Sequence, residues 1–212
     1  MDHFRFGRRF GIWTGLGAAI IIVAALATAG GLGLRTTSVE DGPLEIAQEV
    51  MLVAAMIVFG WAAIHQKSAG RMASIGATVV SLVFFLRELE LPVVGPVTDY
   101  LNSGSFRLHE AILVALAIVP YIVVRRRLMP ELIQYVRSRD VWPFVTAAIL
   151  LIIADRLDGH GFIFGVRSLP IFIEELFELL AYYLMMCAGV QVLINARKPA
   201  DSTGVAEPLT RH

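Results

Sequence analysis

The charge-free runs in this chain are shorter than a bilayer is thick, and that mismatch limits what it can fold into. Val50 to Ile64, Met72 to Leu86, Ala111 to Val124, Val141 to Ala154 and Leu179 to Ile194 contain no charged residue, and each is 14 to 16 residues long. As α-helices they measure about 21 to 24 Å, whereas the hydrocarbon layer is about 30 Å thick and asks for about 20 residues. Each run is bordered by basic residues at one end and by acidic residues at the other. Lys and Arg reach back to the headgroups on long stems, but Asp and Glu do not. The acids at the ends of these runs are therefore expected to sit within one leaflet.

Of the 212 residues, 57% are hydrophobic and 17% charged, with a mean hydropathy of +0.69, values of a membrane protein rather than a soluble one. The expected fold is all-α, an integral membrane bundle of six transmembrane helices near 12–34, 44–64, 71–89, 108–124, 142–157 and 170–194. Residues 1–195 form the transmembrane domain. Within it, 130–139 form a short helix on the membrane surface, with Leu132, Ile133 and Val136 on one face. The tail, 196–212, is polar and expected to be a disordered cytoplasmic segment. Gly11 to Leu34 is uncharged for 24 residues, longer than a signal-peptide core, so the first helix is read as retained. Gly7, Gly11 and Gly15, followed by Ala19, fall at four-residue spacing. Such a face admits a second copy or a membrane-protein partner.

Charge sets the expected orientation. With six crossings and the N-terminus inside, thirteen of the eighteen basic residues fall on the inner side, leaving Arg35, Arg87, Arg107, Arg156 and Arg167 outside. The acids divide the other way, thirteen of eighteen outside. Both termini are therefore expected in the cytoplasm. The zero net charge and this segregation give no footprint for nucleic acid, and the bilayer is the expected surrounding. A single cysteine, Cys187, excludes an intrachain disulfide.

The acidic ends form the candidate site. Glu45 and Glu49 begin one helix and Glu174, Glu175 and Glu178 another; Arg87, Glu88, Asp155 and Arg156 end two more, and Glu110 begins the remaining one. A charge facing lipid costs about 2.5 to 3.5 kcal/mol even on lenient scales, so these groups are expected to face one another in the bundle interior. Arg87 is expected to neutralise its neighbour Glu88, and Arg156 its neighbour Asp155. The surplus carboxylates would bind protons, a cation or a cationic ligand. Glu45 and Glu174 also have a structural explanation, since acids near helix N-termini are stabilised by the dipole. Asp41 and Ser168, each ahead of a proline, are the expected N-caps of those helices. Tyr182, four residues after Glu178, is within reach of it on the same helix.

The acid spacing Glu45 to Glu49 reappears in Glu174 to Glu178, and Phe85 to Glu90 is echoed by Ile153 to Asp158, a weak internal repeat of the kind carriers use. His109 and His160 are the outer histidines, and with Asp158 they are the residues that could hold a divalent metal ion. No His-Glu-x-x-His, Gly-x-Ser-x-Gly or P-loop motif is present, so no residue is marked as catalytic and no cofactor is specified.

Glu40 to Glu45 before one span, Arg87 to Glu90 after another and Glu174 to Glu178 opening a third resemble a pattern in bacterial multi-pass inner-membrane proteins of no assigned activity. The resemblance implies a bacterial inner-membrane location. In placing polar groups within a bundle the chain is also similar to the seven-helix ceramidase-like hydrolases, but it lacks their several metal-binding histidines. Three functions are carried forward: a small carrier or ion-coupled module binding a cation in an outward-facing acidic pocket, a non-catalytic subunit or assembly factor, and a metal-dependent hydrolase of lipids.

Overall fold

The computed structural model describes residues 2–37, 42–89, 94–157 and 168–198. Among them the regular structure is helical throughout: α1 (Arg8–Leu32), α2 (Leu34–Thr37), α3 (Pro43–His65), α4 (Ser68–Glu88), α5 (Pro96–Leu101), α6 (Gly104–Val124), α7 (Met129–Val136), α8 (Trp142–Leu157) and α9 (Leu169–Arg197), with short 3-10 turns at Asp2–Phe4, Arg126–Leu128 and Arg139–Val141. Five of these, α1, α3, α4, α6 and α9, are long and apolar enough to cross a membrane. The sixth expected span, α8, has 16 residues and measures about 24 Å, short of that length. The surface helix expected at 130–139 is α7, which ends at Val136 and passes into the Arg139–Val141 turn. Nearly all of the expected tail lies outside the described residues.

Prolines open α3 and α9, where the missing N–H is no loss. The caps differ from expectation: Gly42, not Asp41, precedes α3, and Ser168 precedes α9 without a side-chain bond to the helix. Gly33 turns the chain between α1 and α2 with φ 89°, a conformation that excludes most side chains.

α9 is the axis of the bundle and buries residues along its whole length. Phe172, Leu176 and Leu179 pack with Ala25, Ala29 and Leu44 at one end. Ala181, Tyr182, Leu184 and Met185 pack with Leu52 and Ala147 at mid-height. Ala188 and Val192 pack with Ala55, Phe59, Ala62, Phe4 and Phe6 at the other end. α3 therefore runs parallel to α9. A Cβ on Gly189 would lie 2.5 Å from Val58 Cγ2, so glycine is what lets the two helices approach this closely. α4 packs on α3 and reaches α9 through Phe84, Arg87 and Glu88, and α8 packs on α9 and reaches α3 through Phe144. The two helices that share the acid spacing are thus adjacent and parallel, and the other repeated pair flanks them.

The first residues are tied to the end of the chain. Asn195 donates from Nδ2 to the backbone carbonyls of His3 (3.0 Å) and Arg5 (3.4 Å), and Phe4 packs edge-on against Tyr135 of α7. The described termini therefore lie at the same end of the bundle, with Arg5, Arg8, Arg197 and Lys198.

On α1 the glycines fall into packed and open positions. Gly11 lies against Trp142 and Gly17 admits the Tyr183 hydroxyl, while a Cβ on Gly7 or Gly15 would meet nothing. α6 buries none of its residues against the described chain.

Candidate functional site

At the bundle end opposite the termini, α4 finishes beside the first turns of α9 and brings together side chains that are far apart in sequence. Glu178 is buried, 5% exposed. The Nη2 of Arg87 lies 3.7 Å from its Oε1, an ion pair longer than a hydrogen bond, and the arginine side chain is 52% exposed against 7% for the glutamate. Arg87 thus reaches in from the surface to a carboxylate that receives no hydrogen bond from any described residue.

Two further carboxylates beside it are held by donors. Tyr182 is fully buried and donates from its hydroxyl to Glu88 Oε1 at 2.9 Å, with Phe84 packed on its ring. Gln48 of α3, also 0% exposed, donates from Nε2 to the backbone carbonyl of Glu175 (2.9 Å) and to Glu175 Oε2 (2.7 Å). Its Oε1, on the same amide, is buried without a hydrogen-bond partner. A buried acceptor without a donor is costly.

Charge interactions join these groups into one layer. Glu178 is acted on by Glu88, Glu175, Arg87 and Glu174, and Glu88 by Arg87, Arg107 and Glu49. Glu175 is acted on by Glu45, and Arg87 by Asp155. Of the expected site residues, Arg87, Glu88 and Glu178 come together, and Glu45, Glu49, Asp155 and Glu174 each act on the charge of at least one group at this end of the bundle. Carboxylates outnumber arginines there.

The expected pairings are met in part. Arg87 forms its ion pair with Glu178, while its neighbour Glu88 also acts on its charge, as expected. Consecutive residues on a helix point about 100° apart, so adjacency in sequence separates them. Asp155 and Arg156 are exposed and form no ion pair with each other among the described residues. Tyr182 bonds Glu88 across to α4 instead of Glu178 on its own helix. Glu110 is half-buried one turn after Arg107, and its Oε1 has no hydrogen-bond partner.

His109 is exposed, with Nδ1 2.7 Å from the Tyr100 hydroxyl in the α5–α6 hairpin. His160 and Asp158 lie outside the described residues. Among the described residues no three His, Cys, Asp or Glu side chains are placed to hold a metal ion. Gln48 carries no sequence signal as a site residue: it is a neutral amide, and only its burial beside Glu175 reveals it.

No family model matches the chain, and no curated protein and no solved structure matches it either.

Proposed function

We propose that this chain is a multi-pass membrane protein whose carboxylate layer binds a cation or proton, as a small carrier or ion-coupled module. The observation that carries the reading is Glu178, an almost wholly buried carboxylate with no hydrogen-bond donor and one distant arginine. A lone buried charge is costly, and a bound cation or proton neutralises it. The cooperating groups are Glu88, held by Tyr182, and Glu175, held by Gln48, with Glu45, Glu49, Asp155 and Glu174 adding to the field.

The proposed topology has six spans with both termini in the cytoplasm of a bacterial cell and the acidic layer toward the outside. The joined termini, the antiparallel course of α3 and α4, and the basic residues at the terminal end support it. α8 fits as a short sixth span whose last residues, Asp155 and Arg156, end within the outer leaflet.

Reconstitution into liposomes tests the proposal. Wild-type protein is expected to couple an imposed cation gradient to a change in internal pH or cation content, and Glu178→Gln to abolish it. Unchanged flux in Glu178→Gln would contradict the reading.

A second reading, a non-catalytic subunit or assembly factor, is favoured by α6, which buries nothing, and by the open Gly15 side of α1. Cross-linking from cysteines placed at Leu113 or Gly15 in native membranes is expected to capture a partner chain on that reading and only lipid on the first.

A further inference from the structure

We infer that the cation taken by this site is an N–H donor of the ammonium or guanidinium type, and that the Arg87 guanidinium occupies its seat on Glu178 until it is displaced. The inference rests on the reading of Glu178 as the cation's counter-charge and adds the chemical class and the competing group.

Gln48 Oε1 is buried without a donor, and Glu178, one turn along α9 from the Glu175 that Gln48 holds, has the Arg87 guanidinium at 3.7 Å in place of a hydrogen bond from a described residue. Acceptors of this kind are satisfied by N–H groups, and a charged N–H donor makes a bond about twice as strong as a neutral one. The alternative, a metal ion, needs several oxygens converging on one point at about 2.0 to 2.6 Å. The acids here share a field without such convergence among the described residues. Glu88 accepts a hydrogen bond from Tyr182 and Glu175 one from Gln48, whereas Glu178 accepts none from a described residue and has only the Arg87 ion pair.

Arg87 shows what the opening admits. It is the last residue but one of α4, half-exposed, and its guanidinium touches Glu178 only at 3.7 Å. A tethered cation so loosely held shields the carboxylate when the site is empty and yields to a cation that donates directly. Its surroundings provide the alternative resting place, since Glu88 and Asp155 also act on its charge.

The test uses the full chain in lipid nanodiscs, with thermal unfolding followed against guanidinium, methylammonium, Na+, K+ and Ca2+ at matched ionic strength. Guanidinium and methylammonium are expected to raise the midpoint with saturation. Arg87→Gln, which removes the competitor, is expected to respond at concentrations at least about tenfold lower, with Arg87→Lys between it and wild type. Na+, K+ and Ca2+ are expected to act only through ionic strength. Should Arg87→Gln fail to fold, guanidinium present during reconstitution is expected to restore it where NaCl does not. Saturable binding of Na+, K+ or Ca2+ as strong as that of guanidinium, no tightening in Arg87→Gln, or no rescue would overturn the inference. Glu178→Gln separates the two levels. If it loses the response while Arg87→Gln gains nothing, the displacement by Arg87 is wrong and the cation site stands; if it responds as wild type does, the site itself is wrong.

Discussion

Glu175 and Glu178 are one turn apart on α9, yet they stand in different chemical situations. Glu175 receives a charge-assisted bond from Gln48, and Glu178 receives only a distant guanidinium. Opposite effects on stability follow. Gln48→Leu leaves a buried carboxylate without its donor and is expected to cost about 1 to 3 kcal/mol. Glu178→Gln keeps the shape and removes a poorly compensated charge, so it is expected to leave stability unchanged or higher while abolishing the cation response. Thermal unfolding of both variants in detergent micelles checks the pair; equal losses would contradict the assignment. That Glu88, Glu175 and Glu178 come near one another was legible in the sequence, because short charge-free runs end in acids at the same end of neighbouring helices. Their partners were not. Gln48 has no charge to draw notice, and the partners of Arg87 and Tyr182 are set by side-chain directions across helices rather than by spacing along one.

At the level of elements, helix positions were readable to within a few residues, because charge-free runs and their flanking charges mark the ends. The packing faces were less so. The four-residue spacing of Gly7, Gly11 and Gly15 marks a face for a partner chain; the face that packs within the chain follows the 3.6 residues per turn of a straight helix instead. The face that packs mixes steps of four with one of three, from Thr14 through Ala18, Ile21 and Ala25 to Ala29. Gly17→Leu is therefore expected to displace Tyr183 and destabilise the bundle by about 1 to 3 kcal/mol, whereas Gly15→Leu is expected to stay within about 0.5 kcal/mol of wild type. Gly189→Leu, at the close crossing of α3 and α9, is expected to be at least as damaging as Gly17→Leu. Denaturation midpoints of the three variants rank them directly, and a Gly15 variant worse than a Gly17 variant would reverse the assignment of faces.

The whole molecule is organised as a polarised column. Aromatic and aliphatic packing fills the end where the termini meet, and the carboxylate layer opens at the other. The charge asymmetry that divides basic from acidic ends in the sequence corresponds to the two ends of this column. The proposed six crossings would place Lys67 and Arg137 on the same side as both termini, so single cysteines at these positions in a Cys187→Ser background are expected to react with a membrane-impermeant thiol reagent only after the cells are opened. A cysteine replacing Tyr100 is expected to react in intact cells. The opposite pattern at either end would refute the topology.

The central claim, that a carboxylate buried within the membrane-spanning bundle is the cation's seat, is tested most directly by carbodiimide labelling. Reconstituted protein treated with dicyclohexylcarbodiimide is expected to carry the adduct on Glu178 by peptide mass spectrometry, and guanidinium at about ten times its Kd is expected to slow that labelling by about tenfold. Absence of the Glu178 adduct, or labelling at the same rate whatever cation is present, would contradict it.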